Sequence, residues 1–590
     1  MKHPSQPVKW CGGDYMSLMH KQLLRQVLRN KIFLVLLLLL TILTSLSFFF
    51  VRFSIDGNMA VLRTLPSMTE NQRLYQNALG SNTSLAYTFL ASLTGLTAFV
   101  FVMFFYRFFR SNRKQVGCLK ALGFRDSSLR SFFVVFTAIL ALAGALFGLV
   151  GGYFLSSVLI NANTQTYNVS GLIKSIAPSS LAVGLGLASA VFCIVAFLCY
   201  GFVRGKEAGA LIAGNSNTQN YGIVLRAANA VSGIIPVKNK FSVRVALRKP
   251  VAVLLVFIAV MAFSVCMIMG RSLNISSQKV FDSQTIGHNY KYELRYDYVR
   301  FNTGIDEGAL PYLEMPGIVS FGSQELDQKV IAIYNEDAML TLQEGDGQPV
   351  ALPHSGGVVI GPGLVETYRL RVGDTILISM DGNTVQLKVM AVAFNAKSGS
   401  IYMNAEEMAA ALGMPPGSHN GNLRNTLSGA LPDGVAITTH EQRIEELNRN
   451  AVSNNVSAVI NQATGALVGC ILLFLALYVN LQDNTRDMLI LHLMGYRVNA
   501  IRKMLVNVYL PIVWVSFLIT LAPSIWLAQS IQRSLSITTN DYMPFGTSVW
   551  VILLIFILLN MIYILVQSVF SLGIKRIIKK EDITEYTSAE

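Results

Sequence analysis

Two stretches of this chain place basic, apolar and glycine residues at fixed spacing, and the chemistry open to them is recognition, not bond-making. KQVGCLKALGFRDSSLR (114–130) and RDMLILHLMGYRVNAIR (486–502) align without a gap. Lys114 falls on Arg486, Leu119 on Leu491, Gly123 on Gly495, Phe124 on Tyr496, Arg125 on Arg497, Leu129 on Ile501 and Arg130 on Arg502. Apolar residues recur at i, i+3 and i+6 in each copy: Val116, Leu119 and Leu122, then Met488, Leu491 and Met494. Gly123 and Gly495 follow, and glycine lets a chain leave a helix in a left-handed conformation. An apolar stripe on a short helix needs a protein groove to enter or a bilayer interface to lie in. Duplication with the glycine and the following aromatic-arginine pair retained favours the protein groove.

Other chemistry finds no support. There is no GxSxG, no CxxC and no paired-carboxylate arrangement, and His440-Glu441 lacks the second histidine of a zinc protease motif. The sequence GxxxxGK[ST] does not occur, so a phosphate-cradling loop must belong to another chain. The six cysteines (Cys11, Cys118, Cys193, Cys199, Cys266 and Cys470) have no zinc spacing, and none falls between residues 271 and 463. We therefore expect no catalytic residue, metal or cofactor in this chain.

The elements that must carry the two stretches are hydrophobic. The 590 residues are 52% hydrophobic and 14% charged, with a mean hydropathy of +0.48. Eight apolar runs cover 32–51, 85–106, 132–156, 180–203, 251–270, 465–481, 504–527 and 550–569. Each approaches the ~20 residues that cross a ~30 Å hydrocarbon core as a helix. Acidic residues are nearly absent from them, which argues against proton or sodium coupling. The net charge of +14 reflects orientation, not nucleic acid. With a cytoplasmic N-terminus, the inner segments 1–31, 107–130, 204–250, 483–503 and 575–590 hold 29 Lys+Arg against 9 Asp+Glu, and 271–462 holds 13 against 21. That is the positive-inside pattern, and anionic lipid headgroups are the natural partners of the basic loops. The run at 32–51 lacks a cleavage site and reads as a first transmembrane helix.

The runs divide into two halves of one plan. A basic lead-in (1–31, and 242–250 within the linker 204–250) precedes a helix, an outer insert and three more helices. The first module spans 32–203, with a short polar insert at 52–84 and the loop 107–130. The second comprises 251–270 and 464–574, with the loop 483–503, and a tail at 575–590. Its insert, 271–463, is a domain of mixed α and β structure. Strands are expected at 358–360 and 401–403, and a hairpin of 374–380 with 384–392 turns at Asp381-Gly382-Asn383. A helical turn is expected at 364–370. Asn404 reads as an N-cap, Glu407 as its capping-box partner, and Gly413 as the stop. Residues 440–450 read as a polar stalk. AGNSNTQN (213–220) reads as a flexible tether. Gly144, Gly148 and Gly152 line one helix face, which permits close packing; a lipid or substrate contact is the alternative. Pro511 and Pro523 predict a kink in the seventh run.

The repeated loop followed by an apolar helix resembles the permease domain shared by FtsX, MacB and the lipoprotein-releasing permeases. GVVIGPGLVETYRLRVGDTILI (357–378) and SIYMNAEEMAAALG (400–413) are similar to the outer domain of MacB-like proteins. The expected fold is a polytopic α-helical membrane protein with eight transmembrane helices in two four-helix modules and a mixed α/β extracellular domain; the two modules set it apart from simple four-helix members of that group, and the eight runs from ten-helix bacitracin-type permeases. The resemblance implies a mechanotransmission ABC permease subunit in a bacterial plasma membrane, with both termini cytoplasmic and 271–463 extracellular. ATP and Mg would be bound by a cytoplasmic ABC ATPase, in two copies per chain. Val116, Leu119, Leu122, Gly123, Arg125, Met488, Leu491, Met494, Gly495 and Arg497 would then be ATPase-coupling residues. The implied outcome is export or release of an amphipathic lipid, lipoprotein, peptide or antibiotic. The alternative is an FtsX-like signalling subunit controlling a cell-wall hydrolase or sensor kinase.

Overall fold

The computed structural model describes residues 12–213, 250–301, 308–322, 324–334, 337–397, 399–427, 434–483, 485–497, 500, 509–539 and 542–580. The tether from 214 onward, the second lead-in up to 249, the start of the seventh run (504–508), Arg502 and the tail from 581 lie outside these residues.

Among the described residues, each of the eight apolar runs lies in helix, and eight helical spans are long and apolar enough to cross a membrane. In the first half these are α2 (Lys31–Thr64), α3 (Glu70–Ser111), α5 (Asp126–Tyr167) and α6 (Pro178–Cys199). A lead-in helix α1 (Gly12–Arg29) precedes them, and short helices α4 (Arg113–Ala121), α7 (Gly201–Arg204) and α8 (Ala208–Ala213) lie between and after them. In the second half they are α9 (Pro250–Thr285), α12 (His440–Asp483), α14 (Tyr509–Thr539) and α15 (Val549–Lys580), with α13 (Thr485–Leu493) between α12 and α14.

Several helices outrun a bilayer. The 42 residues of α3 and the 44 of α12 make rods of over 60 Å at ~1.5 Å per residue. The expected polar insert at 52–84 is therefore not a separate segment. Instead α2 and α3 continue through it as a helical hairpin joined at 65–69. Its turn is set by a capping box: Thr69 Oγ1 accepts from Gln72 N, and Thr69 N donates to the Gln72 side chain. Thr439 and Gln442 make the same reciprocal pair at the start of α12. The stalk at 440–450 is the first part of α12, unbroken into the sixth run.

Glycine sets the packing inside each half. A Cβ on Gly148 would lie 2.7 Å from the Leu46 nitrogen, and one on Gly152 would lie 2.8 Å from the Phe50 nitrogen. At Gly144 it would meet the Thr41 hydroxyl. These three glycines thus seat α5 on the backbone of α2. In the second half a Cβ on Gly270 would meet the Ala458 carbonyl at 2.8 Å, which brings α9 against α12. Pro523 lies inside α14.

Among the described residues, the domain between α9 and α12 has nine strands: β1 (Tyr292–Arg300), β2 (Ala309–Phe321), β3 (Gln324–Ile333), β4 (Gly357–Ile360), β5 (Thr375–Met380), β6 (Asn383–Val392), β7 (Ser400–Asn404), β8 (His419–Arg424) and β9 (Val435–Thr439). Their order is β3-β7-β4-β6-β5-β2-β8-β1-β9, and β2 also pairs with β3. Six strands therefore close into a ring, and β8, β1 and β9 extend from β2. Leu313, Val330, Ile360, Ile378, Leu387 and Met403 fill one core. Helices α10 (Pro362–Tyr368) and α11 (Ala405–Ala411) pack around it. The hairpin is as expected: Met380 pairs with Asn383, and Asp381 and Gly382 both take positive φ, the mark of a type I′ turn. One expectation is corrected. Asn404 caps α11 by accepting from Glu406 N and Glu407 N, but the Glu407 carboxylate accepts from Gly356 N instead of completing a capping box. Strand β1 follows α9 and β9 leads into α12, with Tyr292 paired to Thr439. The domain thus hangs on two adjacent helices.

Candidate functional site: two matched elbows

Over their described residues the two repeated stretches fold alike, 372 residues apart. Helix α3 ends at Ser111 and α12 at Asp483; α4 covers Arg113–Ala121 and α13 covers Thr485–Leu493. Both short helices end in the same Schellman cap. In the first, Phe124 N donates to Leu119 O at 3.2 Å and Gly123 N to Lys120 O at 3.0 Å. In the second, Tyr496 N donates to Leu491 O at 3.1 Å and Gly495 N to His492 O at 2.9 Å. Gly123 has φ +89° and Gly495 has φ +88°. A Cβ on either would meet nothing within 4 Å. Backbone conformation alone, not space, requires glycine here.

The apolar stripe is not exposed along its length, contrary to expectation. Val116, Leu119 and Met488 are buried in the main helical core, and Leu491 is half-buried against it. These residues pin each elbow to the bundle. Only the tips are open: Leu122 is 75% exposed and Met494 68%. Leu493 and Tyr496 join Met494 in the open, and Arg125 and Arg497 are exposed beside the tips. The sequence pattern gave the period of the stripe; it gave no means to say which end faced inward.

The elbows differ in how they are held. In the first, Lys120 Nζ donates to the Val203 and Arg204 carbonyls at 3.0 and 3.1 Å and pairs with Asp126 at 2.9 Å. The Tyr200 hydroxyl donates to the same Asp126 carboxylate at 2.6 Å. A cation over helix-terminal carbonyls is favourably placed. Helix α8 lies close enough that a Cβ on Gly117 would meet Leu211 at 2.9 Å. The second copy has His492, Val498 and Leu489 where the first has Lys120, Asp126 and Gly117.

At the far end of α12 the domain is riveted to its stalks. Arg443 in the first turns of α12 lies 4.1 Å over the Tyr290 ring and donates to His288 O. Asn395 donates to Ile286 O and Thr341 O and accepts from Gln343 N. The His288 ring bonds Asn395 O at 2.8 Å. Burial holds the His288 imidazole down, to about 4. Burial alone would raise the Glu293 carboxyl, but Lys397, the Tyr312 hydroxyl, Arg295 and Arg443 together hold it below its ordinary range. Among the described residues no group of His, Cys, Asp and Glu is placed to hold a metal ion.

A multi-pass membrane protein of two matched helical modules, each with a capped elbow between its second and third long helices, is the architecture of a permease. Residues 87–208 and 463–577 match the family described as FtsX-like permease C-terminal, so that each half carries one copy of that permease module. No curated protein matches it. Members of the family are membrane subunits of ABC transporters or of signalling assemblies and work with a cytoplasmic ABC ATPase.

Proposed function

We propose that this chain couples ATP hydrolysis by a separate cytoplasmic ATPase to movement of its α/β domain, and so exports or releases an amphipathic substrate. The pair of identically capped elbows carries this reading. Each tip offers an apolar residue and an arginine to one ATPase copy, so one chain engages two. Displacement of the second elbow passes along α12, one uninterrupted helix, to β9 and the domain. Both termini are then cytoplasmic and residues 271–463 extracellular, in a bacterial plasma membrane. ATP and Mg reside in the partner, and no step of their chemistry falls to residues of this chain.

Co-expression with the ATPase and native mass measurement of the complex tests the reading. One chain with two ATPase copies is expected. Leu122→Asp with Met494→Asp should abolish co-purification while leaving membrane insertion and melting temperature intact. Undiminished co-purification of that variant would overturn the assignment of the tips.

A further inference from the structure

The α/β domain, its stalk and the α14–α15 connection enclose a cleft of about 490 Å³, within the range of small-ligand sites. Its walls come from separate parts of the chain: Lys279 on α9, Glu344 in the loop after β3, Glu366 on α10, Val372 before β5, Phe394 after β6, and Tyr542 in the connection. The connection is fixed to the stalk, because Lys279 Nζ donates to Phe545 O at 3.1 Å and Gly546 N donates to the Ser272 hydroxyl at 3.0 Å. The cleft therefore spans the joint between the domain and the helical bundle.

Its lining has two chemistries. Val372 and Phe394 give an apolar wall, and Val372 is 60% exposed. Negative charge comes from Glu344 and Glu366; the cation of the cleft, Lys279, acts on Glu366 but spends a donor on Phe545 O, which leaves the two carboxylates in excess. Burial raises the Glu366 carboxyl, and Lys279 and a backbone hydrogen bond from Phe545 only partly offset this, so a second cation brought to it would favour its charged form. The surroundings favour the same sign: residues 271–462 hold 13 Lys+Arg and 21 Asp+Glu, a field that draws cations in.

We propose that this cleft binds a cationic amphipathic peptide segment, with an ammonium or guanidinium group between Glu344 and Glu366 and an apolar side chain on Val372 and Phe394. As the substrate entrance it rests on the export reading above; as a binding cleft it stands on the geometry alone.

The test uses the full chain in phosphatidylcholine nanodiscs and the peptide acetyl-Lys-Leu-Lys-Leu-Lys-Leu-amide. Saturable binding is expected, about tenfold weaker in Glu344→Gln/Glu366→Gln, since loss of charge-assisted bonds is worth about that factor. Glu325→Gln/Asp327→Asn removes the same charge elsewhere on the domain and should leave binding unchanged. Equal affinity in the cleft variant, equal binding of the peptide with acetylated lysines, or an equal loss in both double variants would overturn the proposal. So would binding that vanishes in phosphatidylethanolamine discs, which would make a lipid amine the occupant. Peptide binding without any change in the ATPase turnover of the co-purified complex would uphold the cleft and remove the export reading.

Discussion

Arg107 donates through Nη1 to the Val479 carbonyl at 3.2 Å, and the two residues, 372 apart, stand at equivalent positions in the two modules. A residue that meets its own counterpart lies on a two-fold axis. The chain is thus a pseudo-symmetric pair, with its axis passing between the ends of α3 and α12, just before the elbows. Two identical arginines there would repel; valine in one copy lets the single guanidinium reach a carbonyl. Val479 is buried, so Val479→Arg should place like charges on the axis and overpack it. A loss of about 1–3 kcal/mol is expected, read as a lowered melting temperature in nanodiscs. Val479→Ala, which keeps the carbonyl, should cost less.

The elbow glycines should be intolerant for a conformational reason alone. Gly123→Ala and Gly495→Ala force a Cβ into a left-handed residue, at about 1–2 kcal/mol each. Because no neighbour obstructs the site, asparagine, which visits that region more readily, should recover much of the loss. The measurement is ATPase stimulation by the reconstituted complex for alanine and asparagine variants side by side. Equal defects in both would mean that the tip needs glycine for contact, not for its φ.

The glycines of α5 make a contrasting case, in which space decides. A Cβ at Gly148 would sit 2.7 Å from backbone nitrogen on α2, whereas one at Gly186 on α6 would meet nothing within 4 Å. Gly148→Val should therefore destabilise the first module by at least the ~1–3 kcal/mol typical of overpacking, and Gly186→Val should be close to neutral. Thermal unfolding of the two variants in one detergent checks the difference.

The sequence makes local features legible in proportion to their locality. The eight runs, the elbow glycines, the Asp381-Gly382 turn and the Asn404 cap each depend on a few adjacent residues, and each is where the pattern puts it. Strand β2 escapes such reading because Pro311, Pro316 and Gly317 interrupt it; tertiary pairing with β3 along Tyr312–Phe321 overrides them. Strand β8, HNGNLR, is too polar to look like a strand. The Thr-x-x-Gln boxes at Thr69 and Thr439 were readable signals, and they would have placed the true starts of α3 and α12. The Arg107–Val479 bond and the burial of Val116 and Met488 depend on how the modules dock, which no periodicity contains.

The domain's anchorage to its stalks should respond to mild acid through His288. Its imidazole is buried, bonded to Asn395 O and held at about 4 when folded, against about 6.5 when unfolded. The unfolded state therefore takes up a proton between those values and the folded state does not. Stability must fall as pH drops from about 6.5 towards 4, by up to about 3 kcal/mol, and be flat above that window. Glu293 and Glu314 act in a different range. Their folded carboxyls lie below the ordinary value, so their contribution is full at neutral pH and fades only as pH falls below about 4.5. The charges of Arg443 and Lys397 face His288 and oppose its protonation, while Glu293 favours it. His288→Gln keeps a donor for Asn395 and removes the titration. Hydrogen exchange of β1 and β9 at pH 7, 6 and 5 should show protection declining in the parent chain and holding nearly level in the variant. An equal decline in both would assign the acid response to another group.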